Sequence, residues 1–148
     1  MKGHRTAIVV ALLVLGLTLS ACGRRTAVEY VPDGGSLAMS QVESLAKNAD
    51  LSRVAGVDVS QAPDVRTDTL VWLRGNGTMG QRAASLLTEG FPDRTEAVPV
   101  LVEIATVEGV RTLIVVEAFG GETGPLTYRR LWVFDLKTGQ IIRSAAYR

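Results

Sequence analysis

Residues 98–116 read VPVLVEIATVEGVRTLIVV, and the fold is decided by how this stretch is laid out. Two runs rich in Val, Ile and Leu flank Glu108-Gly109, which is the pattern of two strands joined by a two-residue hairpin turn. With the turn at that position, Ile104 faces Leu113 and Val102 faces Val115 on one side of the sheet. On the other side Leu101 faces Val116 and Glu103 faces Ile114. Both sides are largely apolar, whereas an antiparallel sheet with one wet face alternates cleanly. Each large aliphatic side chain gains about 1.5–3 kcal/mol on leaving water, so both faces require a cover.

Downstream, GGETGP at 120–125 and Lys137-Thr138-Gly139 separate two more extended runs, which predicts a C-terminal antiparallel meander of four strands. Upstream, Ser40 and Glu43 have capping-box spacing, and Val42, Leu45, Ala46 and Ala49 share a helical face, predicting a helix near 40–54. Residues 56–68 carry Pro63 with Asp58, Asp64 and Asp68 at no regular spacing and read as a loop. Residues 69–74, TLVWLR, read as a short strand closed by Gly75-Asn76-Gly77. Thr78 with Gln81 repeats the capping-box spacing, and Met79, Ala83, Leu86 and Leu87 form the stripe of a second helix near 79–90. The expected fold class is α+β, with two helices packed on a four- to five-stranded antiparallel sheet. The helices cover one face; the other calls for the N-terminal segment, a second copy, a partner or an apolar ligand.

The N-terminus gives the address. Lys2 and Arg5 precede an aliphatic run at 7–19 interrupted only by Gly16 and Thr18. A spanning helix needs about 20 apolar residues, so this run is the core of a signal peptide. It ends in Leu19-Ser20-Ala21-Cys22, which resembles the lipobox of bacterial lipoproteins. The resemblance implies a diacylglycerol thioether on Cys22, cleavage between Ala21 and Cys22, and acyl chains holding the protein on the extracytoplasmic side of the cell membrane. Two acyl chains hold a protein stably where one does not. Arg24 and Arg25 add about 1 kcal/mol each against anionic headgroups. The expected organisation is a signal peptide at 1–21, a flexible tether at 22–37 and a single domain at 38–148.

The rest of the composition excludes more than it assigns. The chain has 148 residues, 16 Lys and Arg, 15 Asp and Glu, one His and one Cys. Near-neutral charge without a basic stripe argues against nucleic acid. Removing 21 residues leaves 127 and discards His4, so Ser-His-Asp hydrolysis, thiol catalysis, disulfides and Cys/His zinc sites are excluded. Asp58, Asp64 and Asp68 lack the spacing of a calcium loop, and no metal or cofactor is expected.

Two motifs and one set of charges remain. Gly75-Asn76-Gly77-Thr78-Met79-Gly80 resembles the dinucleotide fingerprint of Rossmann proteins, but no βαβ halves follow, and Asp93 and Glu96 fall in a loop. The simpler reading is a glycine-rich turn into a helix. Ser44-Leu45-Ala46-Lys47 and Lys137-Thr138-Gly139 resemble two of the three motifs of penicillin-binding proteins and serine β-lactamases. No Ser-x-Asn stands between them, 127 residues are too few for that fold, and Gly139 reads as a bulge glycine in a hairpin. Adjacent Arg129 and Arg130 point to opposite faces, so only one of them can meet Glu117. Glu103, Glu117, Arg130 and Trp132 are the candidate ligand or partner contacts. The favoured function is a non-enzymatic binding or accessory module at the cell envelope. It takes an envelope protein or an amphiphile on an apolar sheet face rimmed by charges. The alternatives are a small envelope enzyme using carboxylates or the Ser44/Lys47 pair and, third, nucleotide binding through Gly75, Gly77 and Gly80.

Overall fold

The structure, a computed structural model, describes residues 26–92 and 94–148. The segment expected to be a signal peptide, with Ala21, Cys22, Arg24, Arg25 and Asp93, lies outside the described residues. Among the described residues the architecture is α+β, with three α-helices on a six-stranded mixed sheet.

The meander forms as the pattern predicts. It comprises β3 (Ala97–Val107), β4 (Val110–Phe119), β5 (Tyr128–Asp135) and β6 (Ile141–Tyr147), all antiparallel neighbours. Glu108 and Gly109 make the first turn, both at positive φ (50° and 86°). The four pairings expected from that turn are present: Leu101 with Val116, Val102 with Val115, Glu103 with Ile114 and Ile104 with Leu113. A bulge between Pro99 and Leu101 places Val98, Val100 and Leu101 all on one face. In the last hairpin Asp135 Oδ1 accepts from the Lys137 and Thr138 amides, and Gly139 has φ +77°.

The sheet is mixed because β1 (Glu29–Val31) and β2 (Ser36–Leu37) pair parallel to β3 along its outer edge. The tether expected at 22–37 therefore overlaps the sheet, and the segment 29–37 belongs to the domain. The physical reason is that β3 would otherwise expose a full row of backbone donors and acceptors. Val28 and Tyr30 pack on one face, and Val31 and Leu37 on the other.

Both faces are covered by the chain itself, and the helices expected together on one face lie on opposite faces. On the first, α1 (Met39–Asn48) brings down Val42 and Ala46, followed by Val54 and Val59 from short 3₁₀ turns at Ser52–Val54 and Val59–Gln61. These pack on Leu101, Ala105, Ile114, Val116, Leu131 and Val133. On the second, α2 (Ala62–Arg74) and α3 (Gly77–Glu89) bring Leu70, Leu73, Ala83, Ala84, Leu86 and Leu87 onto Val102, Ile104, Leu113 and Val115.

The helix α2 corrects two expectations, the loop at 56–68 and the strand at 69–74. Pro63 sits in its first turn, where a missing N–H costs nothing, and Asp64 complements the helix dipole. Ala62, Arg66, Thr69, Leu70 and Leu73 are its buried positions, a helical spacing in which Arg66 replaces an expected apolar residue. The first helix ends at Asn48 rather than continuing to 54, because Asp50 accepts from the Ser52 amide at 2.8 Å and turns the chain into a 3₁₀ segment. Gly75-Asn76-Gly77 accordingly links two helices and does not follow a strand. A Cβ on Gly80 would stand 2.2 Å from the Leu73 carbonyl oxygen, so this glycine is required by the close approach of α2 and α3.

Candidate functional site

The four candidate contacts fall on opposite faces of the sheet. Glu117, Arg130 and Trp132 converge on the α2–α3 side, and Glu103 stands alone on the α1 side. Glu117 and Arg130 are directly opposite across β4 and β5.

Glu117 is completely buried and fully engaged. One carboxylate oxygen pairs with Arg66 Nη1 from α2. The other accepts from Trp132 Nε1 at 2.8 Å and from Arg130 Nε at 3.3 Å. Arg66, 4 % exposed, also donates to the carbonyls of Ala97 at 3.0 Å and Leu87 at 2.9 Å. The group thus ties α2, α3, β3, β4 and β5 together at one point. Arg130 lies over the rings of Phe119 and Trp132, 5.2 and 5.3 Å from their centroids, and Phe91 stacks edge-on to Trp132. With every acceptor of Glu117 occupied by this chain, its carboxylate serves the fold. Of the four candidates, Arg130 and Trp132 reach the shallow groove beside it, which is lined also by Phe91, Arg94, Glu96 and Phe119. Arg129 points the other way, donating to the Ala49 carbonyl at 2.9 Å.

Glu103 has the opposite character. After β1 the chain turns through residues 32–35, held by Gly34 N–H to the Ile104 carbonyl at 2.8 Å and by Thr106 N–H to the Gly35 carbonyl at 2.8 Å. The helix α1 then leans toward β5 and β6, with Glu43 paired to Arg143 and Lys47 Nζ 5.6 Å from the Tyr147 ring centroid. Between its far flank and β1 a cleft of about 660 Å³ remains. Its walls include Val31, Leu37, Leu45 and Leu101, with Ser44 on the helix side and Glu29, Asp50 and Glu103 as its charges. Among the described residues no Lys or Arg lines it.

Glu103 is 8 % exposed, and no described residue donates a hydrogen bond to its carboxylate or pairs with it. Among the described residues no fully enclosed side-chain oxygen lacks a partner, so the Glu103 oxygens open onto the cleft. Gly34 leaves the room for them: a Cβ there would lie 1.8 Å from Oε1. Burial pushes the Glu103 carboxyl above its ordinary range, and Glu29 beside it adds to the rise. The carboxyl of Asp50 is instead held low, first by the Ser52 hydroxyl and amide, with Arg53 and Arg129 helping.

A pH dependence of stability follows from Glu103. A carboxyl whose pKa is raised by folding keeps its proton over a window where the unfolded chain has released it. Stability therefore falls as pH rises from the ordinary carboxylate range through the raised one, and this contribution is flat above it. The groups facing Glu103 are Glu29 from β1 and Asp50 beyond α1; its β4 neighbour Ile114 carries no charge. Glu103→Gln is expected to remove this part of the slope and to be at least as stable as the parent at pH 7. Urea midpoints across pH 4–8 check it, and a Gln variant less stable at neutral pH would contradict it.

The other motif residues are separated by the fold. Ser44 faces the cleft while Lys47 lies over Tyr147, and Lys137-Thr138-Gly139 occupies the β5–β6 turn. Among the described residues no group of three or more His, Cys, Asp or Glu is placed to hold a metal. The sequence pointed to Glu103 as a charge inside an apolar strand, but Glu29 was missed because Val28-Glu29-Tyr30-Val31 is too short a run to announce a strand. Comparison with protein-family models, curated proteins and solved structures gives no match.

Proposed function

We propose that this chain is a bacterial lipoprotein, cleaved before Cys22 and anchored through that cysteine on the extracytoplasmic face of the cell membrane, whose domain acts there as a non-enzymatic binding module. The membrane reading is supported by Leu19-Ser20-Ala21-Cys22 following a cationic head and a short apolar run. The observation that carries the binding reading is the cleft between β1 and α1, with an apolar lining and a buried carboxylate that no described residue pairs. A volume of about 660 Å³ is in the range of small-ligand sites, which run from roughly 300 to 1,000 Å³. A buried charge without a partner costs stability, and a ligand or partner group that neutralises it on binding returns that cost as affinity.

Two measurements test the proposal. Cys22→Ala is expected to abolish acylation and to release or mislocalise the protein; lipid retained on the variant overturns the anchor. A photo-crosslinking residue at Ser44, on the cleft wall, is expected to capture an envelope component in cells that the same residue at Val71, exposed on α2, does not capture. Identical capture from both positions overturns the cleft as the binding site.

A further inference from the structure

We infer that the cleft between β1 and α1 is selective for a cation, and that its ligand is an ammonium group on an unbranched apolar stem, seated with the charge on Glu103 and Glu29 and the stem along Leu45, Leu101 and Val31. This deepens the binding reading above and rests on it. Three observations converge on this class. Among the described residues three carboxylates and no Lys or Arg line the cleft, so its field favours a cation over an anion. Asp50 is already engaged with Ser52, which leaves Glu29 and Glu103 as the carboxylates of the cleft that no described residue pairs, and Glu103 is over nine-tenths buried and lines the cleft. Leu37, Leu45, Leu101 and Val31 form walls that favour a stem of methylenes over a hydrated inorganic cation. An isolated carboxylate on an apolar floor is satisfied by a donor that brings its own charge and no bulk, and a primary ammonium supplies three N–H donors at one point.

Two sources carry this chemistry, a free alkylamine amphiphile and a lysine side chain of an extended segment. The experiment uses isothermal titration of the purified protein with n-hexylammonium and with Nα-acetyl-lysine methylamide, and n-hexanol and hexanoate serve as controls of equal carbon number. The expected result is saturable binding of at least one ammonium probe, with hexanol and hexanoate at least about tenfold weaker. The tighter of the two ammonium probes identifies the source. Glu103→Gln is expected to weaken the ammonium probe by about tenfold or more. In the parent, binding draws a proton off Glu103 near its raised range, so the apparent heat depends on the buffer's ionisation enthalpy; in the Gln variant this dependence disappears. Glu103→Gln keeps the shape of the floor, and Glu29→Gln supplies a second variant at an exposed position, expected to weaken binding to a smaller extent. Binding of neither ammonium probe, binding of hexanoate as tight as hexylammonium, or an unchanged affinity in Glu103→Gln each overturns the inference. Position-dependent capture from Ser44 together with no ammonium response sinks the ligand class alone and leaves the cleft as a binding site.

Discussion

Glu117→Ala is expected to cost about 3–5 kcal/mol of folding stability, the scale for removing one partner of a buried ion pair. Glu117 is completely buried and Arg66 is 4 % exposed, so the guanidinium left behind keeps its charge in a site that water does not reach. The carbonyls of Ala97 and Leu87 still accept from Arg66, but they neutralise nothing. Trp132 Nε1 loses its acceptor at the same time, whereas Arg130, with its side chain 32 % exposed, turns to solvent at little cost. The complementary change is milder. Arg66→Met leaves Glu117 with Arg130 and Trp132, so the remaining carboxylate is still paired, and the methionine fills part of the vacated space beside Phe91. The double variant Arg66→Met with Glu117→Leu is expected to recover much of the single Glu117 loss, because no unpaired charge stays buried. Urea unfolding of the parent, Arg66→Met, Glu117→Leu and the double variant as a double-mutant cycle, with Glu117→Ala alongside, measures this. A Glu117→Ala cost under about 1 kcal/mol, the scale of an exposed pair, would show that the cluster is not dry.

The contrast between Glu117 and Glu103 shows how far the sequence reaches. Both are single carboxylates in apolar strands, and nothing local distinguishes them. The β3–β4 register was legible because Glu108-Gly109 leaves one economical turn and apolar residues on both sides fix the faces. That register places Glu103 and Glu117 on opposite faces, and Arg130 followed from the next hairpin. Arg66, which decides that Glu117 is satisfied, comes from a stretch read as loop because Pro63 and the irregularly spaced Asp58, Asp64 and Asp68 hid the first turns of α2. The cleft at Glu103 depended on β1, whose three residues are held by parallel pairing with β3. A contact between residues about seventy positions apart leaves no periodic trace in either segment. The candidate residues were therefore visible one by one, and the difference between a structural clasp and an open acidic cleft was set by tertiary partners.

Leu73→Ala is expected to cost about 2–5 kcal/mol, the range for truncating a fully buried leucine, while Val71→Ser two positions earlier stays within about 0.5 kcal/mol. The pair tests the element that local propensity misassigned. Thr-Leu-Val-Trp-Leu at 69–73 is rich in strand formers, and as a strand it would put Thr69, Val71 and Leu73 on one face. In α2 the same residues separate: Thr69, Leu70 and Leu73 are buried, and Val71 is 60 % exposed. Leu73 meets the sheet beside Ala83, Ala84 and Leu87, and its carbonyl oxygen lies against Gly80, so the helices are too close to collapse into the space a methyl leaves. That places the expected loss in the upper half of the range. The threonine hydroxyls are satisfied within the helix, Thr67 donating to the Pro63 carbonyl at 2.9 Å and Thr69 to the Val65 carbonyl at 2.8 Å. Burial of Leu70 and Leu73 with Arg66 outweighs the rest, since propensity differences are tenths of a kcal/mol per residue and burial is several times larger. Urea midpoints at constant slope measure both variants. Equal losses at 71 and 73 would return the segment to a strand and remove α2 from the face it covers.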